Sequence, residues 1–462
     1  RLKKDATDMH DAGTLDTKGL KTFAQDLDML HAYWTTMVGG RQDVIKSPKI
    51  RDALQIIRDI NLARLLGQGG LGNLGDVGNL LGAHMLDDAF KKQMPALTEV
   101  FKLAQNGQLS NQLLREITII TGLGTDQLRG HIDTRFDDYA SNQILGGTPS
   151  RMAKGASNFV ATYSGMAPLQ TYLQRVVGLC AAQKFADIAL KNHTITDRNL
   201  ALLGMDRAWA DRIGAMMRSH SKFEKGDVLI EINTGKWDDV EAASKFIHVL
   251  DRFSRRVVQQ QDMGNTMPWM TTTMGRLIMQ FRSFMVGSSE KALAYGVQAR
   301  NAETFRMWTL SSLFGATGYV AREYLAAQGS PDKEEILKKR LAASEIMKAA
   351  FTRASFSAWM PMAIDTVGGV LGKRVFSNQR STGLESDIVF GNPTLSTLTQ
   401  YGNAARGLVA PWLLGDEYAY SKQDLKSQRT FAPGQNMAGI NNILNMIGAG
   451  LPSVSVKPEP QP

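Results

Sequence analysis

The sequence predicts a mainly α protein: an elongated multi-helix array with irregular loops and at most a minor β ribbon. Three observations carry this. Apolar residues recur at three- and four-residue spacing through most of the 462-residue chain. Gly, Pro and short polar residues punctuate those runs where helices should begin and end. Only Val228-Leu229-Ile230-Glu231-Ile232, bracketed by Gly226-Asp227 and Asn233-Thr234-Gly235, reads as a strand, and one short strand cannot make a sheet.

Taken in order, Leu20, Phe23, Leu27, Leu30, Trp34 and Met37 mark a first helical stripe that ends at Gly39-Gly40. Ser47-Pro48 supplies a cap and a first-turn proline for a second helix, with Ile50, Leu54, Ile57 and Ile60 on its buried face. The pair predicts an N-terminal helical hairpin over 1–66. Seven glycines then fall between Gly67 and Gly82, interleaved with leucines. No strand precedes them and no Lys-Ser/Thr follows, so a phosphate-binding loop is excluded, and 67–83 is expected to be a flexible, close-packed linker. A hinge or membrane-disturbing segment is the other reading.

A central helical region over 84–225 should hold helices near 84–106, broken or kinked at Pro95, and near 108–121, 163–191 and 197–220. A further helical region, 226–370, contains a helix near 238–261 with Phe246, Leu250, Phe253 and Val257 on one side and Arg252, Arg255 and Arg256 as a basic edge. Helices are expected over 303–327 and from Ser330-Pro331-Asp332 onward, where Glu334 and Glu335 favour the positive end of the helix dipole. The remainder, 371–462, is dense in Gly, Asn and Pro, and predicts short helices, loops and an extended tail.

Composition sets limits on function. An apolar content of 43% argues against wholesale disorder, and 53 basic against 44 acidic residues give a net charge of +9. That excess permits contact with nucleic acid or phospholipid without requiring either. The single cysteine, Cys180, rules out an intrachain disulfide and, between Leu179 and Ala181, reads as a small buried hydrophobe rather than a nucleophile. The chain opens on Arg1-Leu2-Lys3-Lys4 without a signal-peptide core, as expected of a piece of something longer. The nearest approach to a membrane span, 155–174, is uncharged but rich in polar side chains that partners would have to cover.

Catalytic and metal signatures are not found. The seven histidines never take a zinc spacing. His131-Ile132-Asp133 reads as a surface turn, and Asp137-Asp138 and Asp238-Asp239 as charge patterning. No Gly-x-Ser-x-Gly elbow occurs, and a carboxylate pair for glycoside cleavage, being defined in space, is not selected by sequence. No catalytic residue, cofactor or metal is therefore assigned.

The most informative stretch is 269–285. On one helix, Leu277, Phe281, Phe284 and Met285 fall together, and the stripe continues through Ser288 and Ala292. Residues 251–300 carry seven basic and three acidic side chains, the local imbalance most like a binding footprint. A helix of this kind suits an anionic membrane or a basic channel-forming assembly, and an ordinary core-facing helix whose arginines reach water has the same pattern.

The order of motifs resembles the C-terminal region of the large internal virion, or ejection, proteins of T7-like short-tailed phages. The resemblance rests on Met279-Gln280-Phe281-Arg282-Ser283-Phe284-Met285 and the later Gly391-Asn392-Pro393-Thr394-Leu395-Ser396, and covers about 250–450. Tyr401-Gly402-Asn403-Ala404-Ala405-Arg406 adds nothing specific. The resemblance implies a structural protein of the virion interior, stacked over the portal assembly. It would be expelled with other core proteins and copies of itself to form a DNA conduit through the host periplasm to the inner membrane. Double-stranded DNA would be cargo, contacted without base readout. Some members carry a lytic transglycosylase near the amino terminus, which nothing in this chain resembles.

On that basis Leu277, Phe281, Phe284 and Met285 are assigned to membrane or partner contact. Arg252, Arg255, Arg256, Arg276, Arg282 and Lys291 are assigned to DNA or phospholipid. A membrane-associated cell-wall-degrading enzyme domain built from distant acids, and a virion scaffold that binds only proteins, are the alternatives.

Overall fold

The computed structural model describes residues 7, 9–14, 16–37, 45–67, 69–83, 87–96, 112–120, 148–190, 196–259, 267–280, 282–371, 373–376, 420–429 and 432–452, and the account below concerns these. Among them helices dominate in an elongated array, and the regular β structure is one antiparallel two-stranded ribbon. In chain order come α1 (Thr17–Met37), α2 (Pro48–Leu65), α3 (Gly69–Gly72), α4 (Leu74–Gly82), α5 (Asp87–Lys92), α6 (Gln112–Ile120), α7 (Thr148–Tyr163), α8 (Met166–Ala189), α9 (Asp197–Leu202) and α10 (Arg207–His220). The ribbon strands β1 (Lys222–Glu224) and β2 (Val228–Glu231) follow, then α11 (Val240–Val257), α12 (Thr273–Met279), α13 (Ser283–Ser288), α14 (Tyr295–Ala299) and α15 (Ala302–Ala327). The described residues close with α16 (Lys333–Arg340), α17 (Ala343–Arg353), α18 (Met360–Val370), α19 (Lys422–Arg429) and α20 (Ala438–Ala449).

Local chemistry sets several boundaries. Asp206 accepts the Trp209 amide at 3.0 Å, Asp239 that of Ala242 at 3.0 Å and Asn301 that of Thr304 at 2.9 Å, starting α10, α11 and α15. The helix expected over 197–220 is two, because Gly204 takes a left-handed turn (φ 78°) between α9 and α10. The helix that starts from Ser330-Pro331-Asp332 is likewise divided, with α16 ending at Arg340 before α17 begins. α7 lies where the sequence predicts no helix; its many polar residues hide Ala153, Val160 and Ala161, which are buried.

The main core forms around α8, whose buried Leu173, Val176, Val177, Leu179 and Ala182 meet α10, α11 and the ribbon. All four apolar residues predicted to share one side of α11, Phe246, Leu250, Phe253 and Val257, are buried there. Phe185 and Trp237 flank Phe246, with ring centroids 5.7 and 5.4 Å away. The ribbon is tied down by polar side chains: Glu116 of α6 accepts the Ile232 amide at 2.8 Å, and Gln183 of α8 accepts the Leu229 amide at 2.8 Å.

Two expectations about organisation are corrected. α2 packs chiefly along α7, not in a closed hairpin with α1; Leu62, Ala63, Leu65 and Leu66 share a small core with Val160, Ala161 and Met166. On α1, Leu30 and Trp34 of the predicted stripe are exposed. Periodicity identifies an apolar face but not the neighbour that covers it.

The glycine-rich segment is not a linker. It forms α3 and α4, and α4 lies antiparallel against α15 in the most extensive helix contact of the described residues. A Cβ on Gly78 would stand 2.6 Å from the Ser311 Cα, and one on Gly82 2.8 Å from the Met307 amide nitrogen. Absence of side chains at Gly78 and Gly82 thus lets two backbones touch. Ser355 completes the joint, its hydroxyl donating to Asn79 Oδ1 at 2.9 Å and its amide to Ser311 Oγ at 3.1 Å.

Candidate membrane and nucleic-acid interface

The segment singled out by sequence begins with a 3-10 turn, Pro268–Thr271, after which Thr272 starts α12 by accepting the Gly275 amide at 3.0 Å. α12 stops at Met279 because Gln280 leaves helical geometry (ψ 126°). The Gln280 side chain holds it out: Nε2 donates to the Arg58 carbonyl at 2.8 Å, and Oε1 accepts from Asn61 at 3.3 Å, both on α2. Arg282, fully buried, turns back to donate to the Ile278 carbonyl at 3.2 Å before α13 begins. α13 continues into a π-helical turn, Ser289–Ala294, where Trp308 donates to the Ala292 carbonyl at 3.4 Å.

The single continuous helix expected here is therefore replaced by α12, a joint at 280–282, and α13 with its π turn. Of its apolar stripe, Leu277 and Met285 are buried. Phe284 belongs to α13, and Phe281 lies outside the described residues.

The basic residues also differ from an open patch. Arg252 is exposed, with its guanidinium beside Gly204. Arg255 pairs with Asp251 at 2.8 Å, four residues earlier on the same helix. Arg256 stacks over the rings of Tyr295 and Phe253, at 4.1 and 4.9 Å. Arg276 and Lys291 are half-buried. Guanidinium groups that bond carbonyls and stack on rings can be drawn into a fold, which a count of charges along the chain does not register.

Other charged groups are mostly used in construction. On α15 and α17, Arg322 pairs with Glu323, and Arg322 and Arg353 lie 5.8 and 5.5 Å from the Tyr319 ring. Burial, reinforced by the neighbouring Arg322, pulls the Arg353 guanidinium down to about 9. Buried Asp187 accepts from Lys92 at 2.6 Å and from Gln183 at 2.9 Å, and buried Asp424 caps its own helix through Ser421. Of the aspartate pair on the sequence, Asp239 caps α11 and receives Arg212 at 2.8 Å, while Asp238 faces His220 at 3.4 Å. Arg212, then the Ala242 amide, hold the Asp239 carboxyl below the usual carboxylate range.

Among the described residues no three His, Cys, Asp or Glu side chains converge as metal ligands, and no helix is long and apolar enough to cross a membrane. His131-Ile132-Asp133, Asp137-Asp138, and the segments 391–396 and 401–406 lie outside the described residues. No family model matches the chain, and neither does any curated protein or solved structure.

Sequence reasoning missed two outward apolar faces. On α20, Asn441 and Asn445 turn inward and donate to the Ala326 carbonyl at the end of α15, both at 3.2 Å, while Ile443, Met446 and Ile447 are exposed. On α18, Ile364, Val367, Val370 and Leu371 are exposed. α20 carries no charged residue and α18 only Asp365, and such a run does not by itself state whether its apolar face turns inward or outward.

Proposed function

We propose that this chain is a structural subunit of a phage internal core, expelled to build a DNA-ejection conduit across the host periplasm and inner membrane. Its partners are copies of itself, other ejection proteins and the portal assembly. Its surroundings are the virion interior before infection, and the host periplasm and inner membrane afterwards. Double-stranded DNA passes as cargo, held by phosphate contacts without base readout.

The observation that best supports an assembling role is the reversed polarity of α20, with asparagines inward and isoleucines outward. An uncovered apolar helix face is stabilised by a neighbouring surface, and contiguous apolar patches mark interaction sites. The phage assignment itself rests on the motif order of 279–285 and 391–396. In the packing described above, Leu277 and Met285 are covered by the chain, so their contact with lipid or a partner requires the 280–282 joint to open. Twenty-two methionines suit surfaces that pack in two ways.

The test is sedimentation of the purified chain alone, with anionic vesicles, and with nonspecific duplex DNA over a salt series. Ring-sized oligomers, vesicle association and DNA retention that weakens as salt rises are expected. A monomer that ignores both lipid and DNA would overturn the proposal. Protein oligomers without lipid or DNA binding would favour the pure scaffold, and release of peptidoglycan fragments the enzyme domain.

A further inference from the structure

We infer that α2 is a latch on the 280–282 joint, and that its withdrawal lets α12 and α13 fuse into one continuous helix over 273–288. This deepens the proposed opening of that joint by naming what holds it and what forms when it is released. The test needs neither lipid nor DNA, so the latch can fail while the conduit reading stands, and the reverse.

The local sequence does not call for a break. From Arg276 to Val286 there is no glycine or proline, and Leu277, Met279, Gln280, Arg282 and Met285 are all good helix formers. Regular α-helix runs up to Met279 and again from Ser283. Between them Gln280 stands at φ −53° and ψ 126°, and Arg282 at φ −125° and ψ −16°. The cause is tertiary: the buried Gln280 side chain is fixed at both polar atoms, by the Arg58 carbonyl and by Asn61, and both belong to α2. A side chain tethered in this way keeps the backbone behind it out of the helix.

The joint is one hydrogen-bond step away from a helix. In a continuous helix the Ile278 carbonyl would accept the Arg282 amide, four residues on. Here that amide turns to the Met279 carbonyl at 2.7 Å, three residues back, and the Arg282 guanidinium takes its place on the Ile278 carbonyl at 3.2 Å. The Met285 amide likewise bonds three residues back, to the Arg282 carbonyl at 2.9 Å. Fusion shifts these amides by one carbonyl each, from the tighter 3-10 pattern to the α pattern, and needs no new donor. The Arg282 side chain is a placeholder that the helix would release.

Withdrawal of α2 removes both bonds to Gln280 and leaves the local preference unopposed, so 273–288 closes into the helix that its sequence favours. On that helix Leu277, Phe281, Phe284 and Met285 would share one side, which the joint now interrupts. The latch thus decides whether the stripe exists as a single surface.

The test is the Cα carbon shift of residue 280 in the full chain, which lies downfield in a helix and upfield in extended backbone. With isotope-labelled glutamine, the unmodified chain should show Gln280 upfield. Asn61→Ala with the same label should move it to the downfield position in most molecules. Gln280→Met, which keeps the side-chain volume but removes both bonds, should do the same with labelled methionine. Residue 280 remaining extended in either folded variant would overturn the latch, as would a helical Gln280 in the unmodified chain. If a variant unfolds, a urea series on the unmodified chain decides. Gln280 turning helical while the buried Trp237 indole keeps its folded signal supports the latch, and simultaneous loss of both signals overturns it.

Discussion

Cys180 shows how much one side chain reports about its surroundings. It sits in the middle of α8, and burial pushes its thiol from the ordinary value of 9.0 up to about 12. Below pH 9 the thiol is neutral in both folded and unfolded chains and contributes no pH dependence. Above that, the unfolded chain releases a proton that the folded chain retains, so stability falls as pH rises from 9 towards 12, by up to about 1.4 kcal/mol per unit. Thermal unfolding of the natural chain and of Cys180→Ala between pH 8 and 11 should show the steeper alkaline loss only in the former. A native-state thiol probe at pH 8 should react slowly with Cys180 and rapidly once denaturant is added. Burial at this position was legible, because its flanking residues are apolar. The stacking of Arg256 on Tyr295 was not, because it joins two helices whose relation the linear order does not state.

At the scale of elements, the α4–α15 joint depends on side chains that are missing. Gly78→Ala would place a methyl group against the backbone of Leu310 and Ser311, and should lower unfolding stability by about 1–3 kcal/mol through overpacking. Gly155→Ala, on the exposed side of α7 with no atom within 4 Å of the new Cβ, should raise it by about 0.5–1 kcal/mol. Urea unfolding of the two variants measures both, and equal effects would remove the distinction. The spacing of Gly75, Gly78 and Gly82 is helical, but glycine's poor helix propensity favours the linker reading when no partner is visible. That partner, with Met307, Leu310 and Ser311 at the contact, lies more than two hundred residues away along the chain. Similarly, the end of α12 was hidden because Gln280 is held out by α2, an event decided in space.

For the whole molecule, the helical class and the minor ribbon followed from periodicity and punctuation, as did the buried side of α11. Surfaces did not, since a buried apolar stripe and an exposed one are written with the same residues. Leu277 and Met285, expected at a membrane or partner contact, are buried, while Ile443, Met446 and Ile447 of α20 are exposed. If α20 mediates assembly, Ile443→Asp with Met446→Asp should shift the chain to monomer while leaving helix content unchanged, as read by ultracentrifugation and circular dichroism. Both positions are more than half exposed, so the variant does not disturb the core. An unaltered oligomer distribution would exclude this face from the interface.

The contact between α4 and α15 also limits how the molecule can change shape. With peptide groups interlocked at Gly78 and Gly82, a slip of one residue would drive side chains into the opposing main chain. Shear is blocked, whereas separation perpendicular to the axes meets no such obstacle. A passage narrower than the pair would have to unzip it from one end, and the two helices would otherwise travel as a single rigid rod.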